Sequence, residues 1–178
     1  YPREEERLSG KKIWLYPVDS KGVLYLRLLF NTRDFSEEEL SYLSVLSTAF
    51  AYMDTDHYSF QDLNSEIYLH SGGFSTDITS YPDFLNKNKY TGVFSLGFKF
   101  LEGEMQQGLV YLEEILFHTH LSDEKRLSEI LLEIKSRERM RLESTGHSYA
   151  VNSAMESFSP TSFYQERVKG IRYYHFIE

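Results

Sequence analysis

The chain has 178 residues, of which 41% are hydrophobic and 16% aromatic, a composition that suits one folded domain and excludes intrinsic disorder. Its 27 acidic residues outnumber its 19 Lys and Arg, and the net charge of −8 excludes a nucleic-acid-binding surface built on a basic cluster. The sequence contains no Cys, which excludes disulfides, thiolate nucleophiles and Cys-based zinc sites.

The amino-terminal part predicts a linker followed by a hairpin. Residues 1–11 are polar and charged, and we expect them to lead into a single domain over residues 12–178 that belongs to a longer polypeptide. Residues 12–31 contain two apolar runs separated by the turn-forming segment 17–22. This pattern predicts two paired β-strands.

Two helices are predicted next, and each has a capping signal. Ser36 with Glu39 forms a capping box, and Ser59 begins the second helix, which runs to about residue 71. Gly72 and Gly73 follow the second helix, where a glycine readily adopts the positive φ that ends a helix. A phosphate-binding loop would place its glycines before a helix, so these two predict a structural turn into a strand.

The rest of the chain predicts two more strands and then helices. Alternating apolar residues predict strands over 74–81 and 90–101, and helical spacing predicts helices over 104–118, from residue 122, over 149–158 and after Pro160. The coarse order β-β-α-α-β-β-α-α-α predicts an α+β fold with an antiparallel or mixed sheet and helices packed on one face.

The sequence predicts no active site from its residues alone. None of the six histidines has the spacing that places two imidazoles on one helix face around zinc. His118 and His120 are the close pair, and they would share a face only on a strand. Because the surrounding pattern predicts a helix end, we interpret them as surface residues. We therefore predict no catalytic residue, no metal ligand and no cofactor in this chain.

Three segments resemble a known family. They are GVLYLRLLFNT at residues 22–32, YSFQDLNSEIYLHSGGFSTDITSY at residues 58–81, and LSDEKRLSEILLEIKS at residues 121–136. Together they resemble the insulinase/pitrilysin-type zinc metallopeptidases, in the branch of presequence protease and falcilysin. In that branch four homologous α+β domains form two bowl-shaped halves, and the resemblance is to the third, peptidase-associated domain.

The resemblance also implies where a zinc site has been lost. The catalytic domain of the family carries His-x-x-Glu-His on its first long helix, and the equivalent stretch here is SVLST. Ser44 and Thr48 replace the two ligand histidines, and Ser47 replaces the general-base glutamate. The third ligand would map to Glu133, with Glu129 as the alternative. Hydroxyls do not replace imidazoles as stable zinc ligands, so the resemblance implies a non-catalytic domain.

The implied function is part of a peptide-degrading enzyme. The domain would line a closed chamber opposite the zinc site, with the catalytic half of the same polypeptide and unfolded peptides as partners, and with neither nucleic acid nor membrane. Zinc would belong to the catalytic domain, and this chain alone would be inactive. The absence of Cys and of an apolar run of transmembrane length fits the bacterial cytoplasm or an organelle matrix. Three alternatives are a zinc-less structural subunit of the same fold, an unrelated α+β ligand-binding module and, least favoured, a zinc enzyme in its own right.

Overall fold

A computed structural model describes residues 3–178 and confirms the predicted α+β class. Strands β1 (Glu4–Leu8) and β2 (Lys11–Leu15) form one antiparallel pair. Strands β3 (Val23–Asn31), β4 (Gly73–Pro82) and β5 (Tyr90–Leu101) form a second antiparallel sheet in the order β3-β5-β4. The helices are α1 (Glu37–Tyr52), α2 (Phe60–His70), α3 (Met105–Phe117), α4 (Glu124–Met155), α5 (Pro160–Val168) and α6 (Ile171–Ile177), with a 3-10 turn at Glu102–Glu104 before α3.

The predicted pairing of the first hairpin is wrong. Strand β2 pairs with β1, so that Glu4 lies opposite Leu15, whereas β3 pairs with β5. The turn between β1 and β2 is Ser9-Gly10, and both residues have positive φ, at 49° and 78°. Two positive φ values suit the tight turn of a two-residue hairpin. The segment predicted to be a linker therefore contains β1, while residues 1 and 2 of that segment lie outside the described residues.

Both predicted helix starts are confirmed by their caps. The Ser36 hydroxyl accepts a hydrogen bond from the Glu39 backbone N–H at 3.3 Å, and the Glu39 carboxylate accepts from the Ser36 N–H at 2.7 Å. At the second helix, the Ser59 hydroxyl accepts from the Asp62 N–H at 3.2 Å. These bonds satisfy N–H groups that have no partner inside the helix.

The two glycines lie at the junction between α2 and β4, but they do not end the helix in the predicted way. The capping residue after α2 is Ser71, in an extended conformation with φ of −147°. Of the two glycines, Gly73 has a positive φ, at 107°, and it is already the first residue of β4. The Gly72 N–H donates to the Lys99 carbonyl at 2.8 Å, which fastens the junction to β5.

The core lies between the second sheet and the helices, and it has two buried clusters. The cluster against the sheet includes Leu96, Phe98, Tyr111 and Ile115. The other cluster joins α1, α4 and α6 and consists of Val45, Ala49, Met53, Ile130, Ile134 and Tyr173. The second cluster holds the amino-terminal part of α4 against α1, and this contact positions the candidate site.

Helix α4 is longer than the sequence predicts. It runs through the segment in which residues 149–158 were expected to form a helix of their own, with a break in helical backbone angles at Thr145, where φ is −128° and ψ is 30°. The Thr145 hydroxyl donates to the Arg141 carbonyl at 2.8 Å. Such back-bonding is a known cause of helix bending.

Candidate functional site

The resemblance places three hydroxyl residues at zinc-motif positions, and these three lie together in the structure. Ser44, Ser47 and Thr48 project from α1 into a cavity of about 170 Å³ that is also bounded by β4, α4, α5 and α6. The Ser44 hydroxyl donates to the Leu40 carbonyl at 3.2 Å, and the Ser47 hydroxyl donates to the Ser44 carbonyl at 2.9 Å. Both serines therefore use their protons to bond their own helix.

Glu133 does not line this cavity, although α4 does pack against α1. Its side chain is 59% exposed, and its carboxylate lies 3.9 Å from the Arg137 guanidinium. Glu129 is also exposed and pairs with Arg126 at 2.9 Å. Neither candidate for the third-ligand position therefore faces the α1 hydroxyls.

The carboxylate of α4 that does line the cavity is Glu138, which is 5% exposed. It accepts a hydrogen bond from the Tyr149 hydroxyl at 2.9 Å and one from the Arg141 guanidinium at 3.2 Å. The sequence contains a signal for its burial, because Ile130, Ile134 and Glu138 follow one another at four-residue spacing on one helix face. Glu133 is five residues before Glu138, so it faces a different side of α4.

The charges around the cavity do not suit a zinc ion. Arg137, Arg141 and Lys169 line it, against the two carboxylates of Asp77 and Glu138. Each carboxylate already has a partner, since Lys169 donates to Asp77 at 2.8 Å and Arg141 to Glu138. With no imidazole, no thiolate and an excess of cations, the residues present do not fit a stable divalent metal site.

Two tyrosines beside the cavity remain protonated at neutral pH. Burial, together with the nearby Glu138 carboxylate, raises the pKa of Tyr149 to about 12. Burial also raises the pKa of Tyr173, with a smaller contribution from the same carboxylate. Both phenols are therefore neutral and do not act as bases in this part of the molecule.

A second polar cluster lies at the carboxyl-terminal end of α3. As predicted, the helix ends here, at Phe117, and Thr119 then forms an antiparallel bridge with Thr55. His118 and His120 flank this bridge and both contact Asp56, at 2.8 Å from His118 Nδ1 and 2.7 Å from His120 Nε2. Within residues 3–178, no group of three or more His, Cys, Asp or Glu side chains is arranged to hold a metal ion.

We expect this cluster to give a measurable pH dependence. The hydrogen bond to Asp56 raises the pKa of His118 above its ordinary value of 6.5. Because the folded-state pKa is raised, the contact stabilises the fold fully below pH 6.5 and this contribution is lost as the pH rises through the folded pKa. NMR titration of the His118 ring should show the raised pKa, and Asp56→Asn should return it towards 6.5.

A matched control removes a carboxylate elsewhere. Asp83→Asn changes the net charge equally, and Asp83 lies in the β4–β5 turn, where it accepts from the Leu85 and Asn86 N–H groups. It should leave the His118 titration unchanged. A wild-type His118 that titrates at or below 6.5 would show that the Asp56 contact does not form in solution.

The structure thus defines an α+β domain in which, within residues 3–178, hydroxyls and cations, and no imidazole, line the cavity beside α1. A family model matches residues 1–178 of the chain, and this family is described as associated with the peptidases of family M-16, subfamily C. The chain therefore belongs to this family of peptidase-associated domains, and the resemblance to the insulinase and presequence protease group is confirmed.

Several curated proteins are similar along almost the whole chain. Protein HypA of Clostridium perfringens is 23% identical over 176 residues, covering 99% of this chain and 18% of HypA. The mitochondrial presequence protease of Drosophila melanogaster is 19% identical over 173 residues, covering 97% of this chain and 17% of the protease. The mitochondrial presequence protease of Schizosaccharomyces pombe is 23% identical over 164 residues, covering 92% of this chain and 16% of the protease. The chain spans less than a fifth of the length of these relatives.

The helices of residues 3–178 include none that combines the length and the apolar composition needed to cross a bilayer.

Proposed function

We propose that this chain is a non-catalytic domain of a zinc-dependent, peptide-degrading metalloendopeptidase. In this proposal the domain forms part of the wall of a closed chamber opposite the zinc site, and zinc is held by a catalytic domain elsewhere in the same polypeptide. The observation that carries the proposal is the cavity beside α1, where Ser44, Ser47 and Thr48 stand together with an excess of cations. Family membership supports the peptidase context, and the names of two relatives support a presequence protease.

The zinc part of the proposal is tested by comparing the chain with the longer polypeptide. The 178-residue chain, dialysed against zinc, should hold no stoichiometric metal and should not cleave an unfolded peptide. The longer polypeptide should hold one equivalent of zinc and should cleave unfolded peptides but not folded proteins. Stoichiometric zinc in the chain, or a longer polypeptide without peptidase activity, would overturn the proposal.

The chamber part needs a separate measurement. Lys169→Cys places a thiol at the cavity, and labelling it with a bulky maleimide should slow peptide cleavage if the cavity faces the chamber. Ser144→Cys on the exposed side of α4 is the matched control, and its labelling should leave the rate unchanged. Equal rates for both labelled variants would place the cavity outside the substrate path.

The net charge of −8 suggests a preference among peptides. A domain with this net charge attracts basic peptides over long range, and salt screens this attraction. We expect the longer polypeptide to cleave a basic peptide faster than an acidic peptide of equal length at low salt, with a smaller difference at high salt. Equal cleavage rates at low salt would contradict the preference.

The same proposal includes a location. The relatives named as presequence proteases are described as mitochondrial, and a bacterial protein is among the other matches. Either an organelle matrix or the bacterial cytoplasm fits a chain without Cys.

A further inference from the structure

A second cavity, of about 240 Å³, lies on the face of the β3-β5-β4 sheet where the side chains of two register rows project. In the first row Tyr25 lies opposite Lys99, which lies opposite Gly73. In the second row Arg27 lies opposite Gly97, which lies opposite Ser75. Residues two apart in a strand face the same side, so these side chains share one face.

The floor of this cavity is formed by residues with little or no side chain. Gly73 leaves the strand backbone uncovered, and Gly97 is covered only by the small side chain of Ser75 beside it. An added Cβ at Gly97 would lie 2.7 Å from the Ser75 hydroxyl, so this small side chain already occupies the space above Gly97, whereas an added Cβ at Gly73 would have no atom within 4 Å. An extended peptide can therefore approach the sheet closely here, because no bulky side chain stands in the way.

Two cationic side chains, Arg27 and Lys99, also line the cavity. Arg27 lies opposite a glycine, and no ion pair among residues 3–178 includes Arg27 or Lys99. The Lys99 ammonium lies 5.8 Å from the centroid of the Tyr25 ring, which holds it at the cavity. The residues that line the cavity include no Asp or Glu, although acidic residues exceed basic ones in the whole chain.

The nearest acidic side chain by register is already neutralised. Asp77 follows Ser75 on the same face of β4, and it accepts from the Lys169 ammonium at 2.8 Å. Arg27 and Lys99 are diagonal neighbours on adjacent strands, and like charges in such positions repel each other. An anion that bridges the two cations would relieve this repulsion and accept charge-assisted hydrogen bonds.

We propose that this cavity binds a carboxylate of an extended peptide, between Arg27 and Lys99. Its volume is below the roughly 300 Å³ at which small-molecule sites begin, so it suits one acidic side chain. Tyr25 and Tyr68, which are 68% and 74% exposed, flank the cations and offer the amphipathic contact area that peptides use. The inference does not depend on the proposed peptidase function, because it concerns binding by this chain alone.

The test uses the 178-residue chain, whose two buried clusters consist of its own residues. The probe is a short acetylated and amidated peptide with two adjacent Glu residues and one Phe, and its partner has Gln in place of each Glu. NMR titration at about 20 mM salt should move the backbone signals of Arg27, Gly97 and Lys99 with the Glu peptide. The Gln peptide should bind about tenfold more weakly.

The double variant Arg27→Gln/Lys99→Gln should weaken binding of the Glu peptide by about tenfold or more. The matched control is Lys87→Gln/Lys89→Gln, which removes the same charge from exposed positions near the β4–β5 turn and should bind like the wild type. Equal binding by the two double variants, equal binding of the Glu and Gln peptides, or no binding of the Glu peptide would overturn the proposal. Displacement of the peptide by an equal concentration of inorganic phosphate would assign the cavity to phosphate and would also overturn it.

Discussion

Replacing Arg167 with Ala is expected to lower the free energy of unfolding by about 3 kcal/mol. Arg167 is 5% exposed although it carries a full charge. Its guanidinium contacts the Glu37 carboxylate at 2.7 Å, the Glu156 carboxylate, and the Phe163 carbonyl at 2.9 Å. These contacts connect α5 with the first turn of α1 and the end of α4.

Arg167→Ala lowers the stability because it leaves the Glu156 carboxylate without one of its two arginine partners. Glu156 is largely buried, with a side chain that is 13% exposed, and without Arg167 it would retain the contact to Arg172 at 2.7 Å. A buried charge that loses a partner is destabilised by much more than an exposed one. Because Arg172 remains, the expected loss lies at the lower end of the range for broken buried pairs.

Urea unfolding followed by circular dichroism measures this effect, and Arg139→Ala is the control. Arg139 also pairs with a glutamate, Glu143 at 3.2 Å, but its side chain is 71% exposed. Exposed pairs of this kind contribute about 0.5 kcal/mol or less. Similar losses in the two variants would show that the Arg167 network does not form in solution.

The loss of stability caused by Arg167→Ala should also depend on pH. Burial opposes the ionisation of Glu156, but its hydrogen bonds from Arg167 and Arg172 lower its pKa below the ordinary value of 4.5. A lowered folded-state pKa gives a stabilising contribution that is present above pH 4.5 and lost as the pH falls through the folded pKa. The difference in the free energy of unfolding between the wild type and Arg167→Ala should therefore become smaller below pH 4.5.

Elements with a buried face could be predicted from the sequence, whereas the exposed hairpin could not. Helix α1 combines a capping box at Ser36 with Leu40 and Leu43 at core spacing, and both leucines are buried. Strands β1 and β2 carry mostly exposed residues, so hydrophobic alternation contains little information about which strands pair. The signal that decides the pairing is the Ser9-Gly10 turn, and the charged residues around it concealed this signal.

The sites were predictable only in part, for reasons of register and helix phase. The positions of Ser44, Ser47 and Thr48 follow from one helix, so the sequence could place them together. The choice of Glu133 required the phase of a second helix relative to the first, and the structure instead presents Glu138. Likewise, the alternation of side chains predicts which face of its own strand carries Arg27 and which carries Lys99. Only the β3–β5 register shows that the two residues are neighbours.

Replacing Gly92 with Ala is expected to destabilise the fold by about 2–3 kcal/mol through overpacking. An added Cβ would lie 2.4 Å from the Thr32 hydroxyl and 2.5 Å from a carbon of the Tyr164 ring. These two side chains share a buried hydrogen bond of 2.9 Å between their oxygens. Thr32 is 3% exposed and Tyr164 is 1% exposed, so neither can move aside into solvent.

The substitution would therefore separate α5 from the sheet at the point where Tyr164 packs. In addition, burial raises the pKa of Tyr164, so its neutral hydroxyl persists and depends on Thr32 for a partner. Thermal unfolding should show a decrease in Tm of about 4–12 °C for a loss of this size.

Gly146→Ala is the matched control, because the same methyl group would have the opposite effect there. Gly146 lies within α4, and an added Cβ would have no atom within 4 Å. Alanine is favoured over glycine inside a helix by up to about 1 kcal/mol, so the Tm should be unchanged or slightly higher. A Gly92→Ala variant as stable as Gly146→Ala would mean that Tyr164 does not pack over Gly92, and that α5 meets the sheet in a different way.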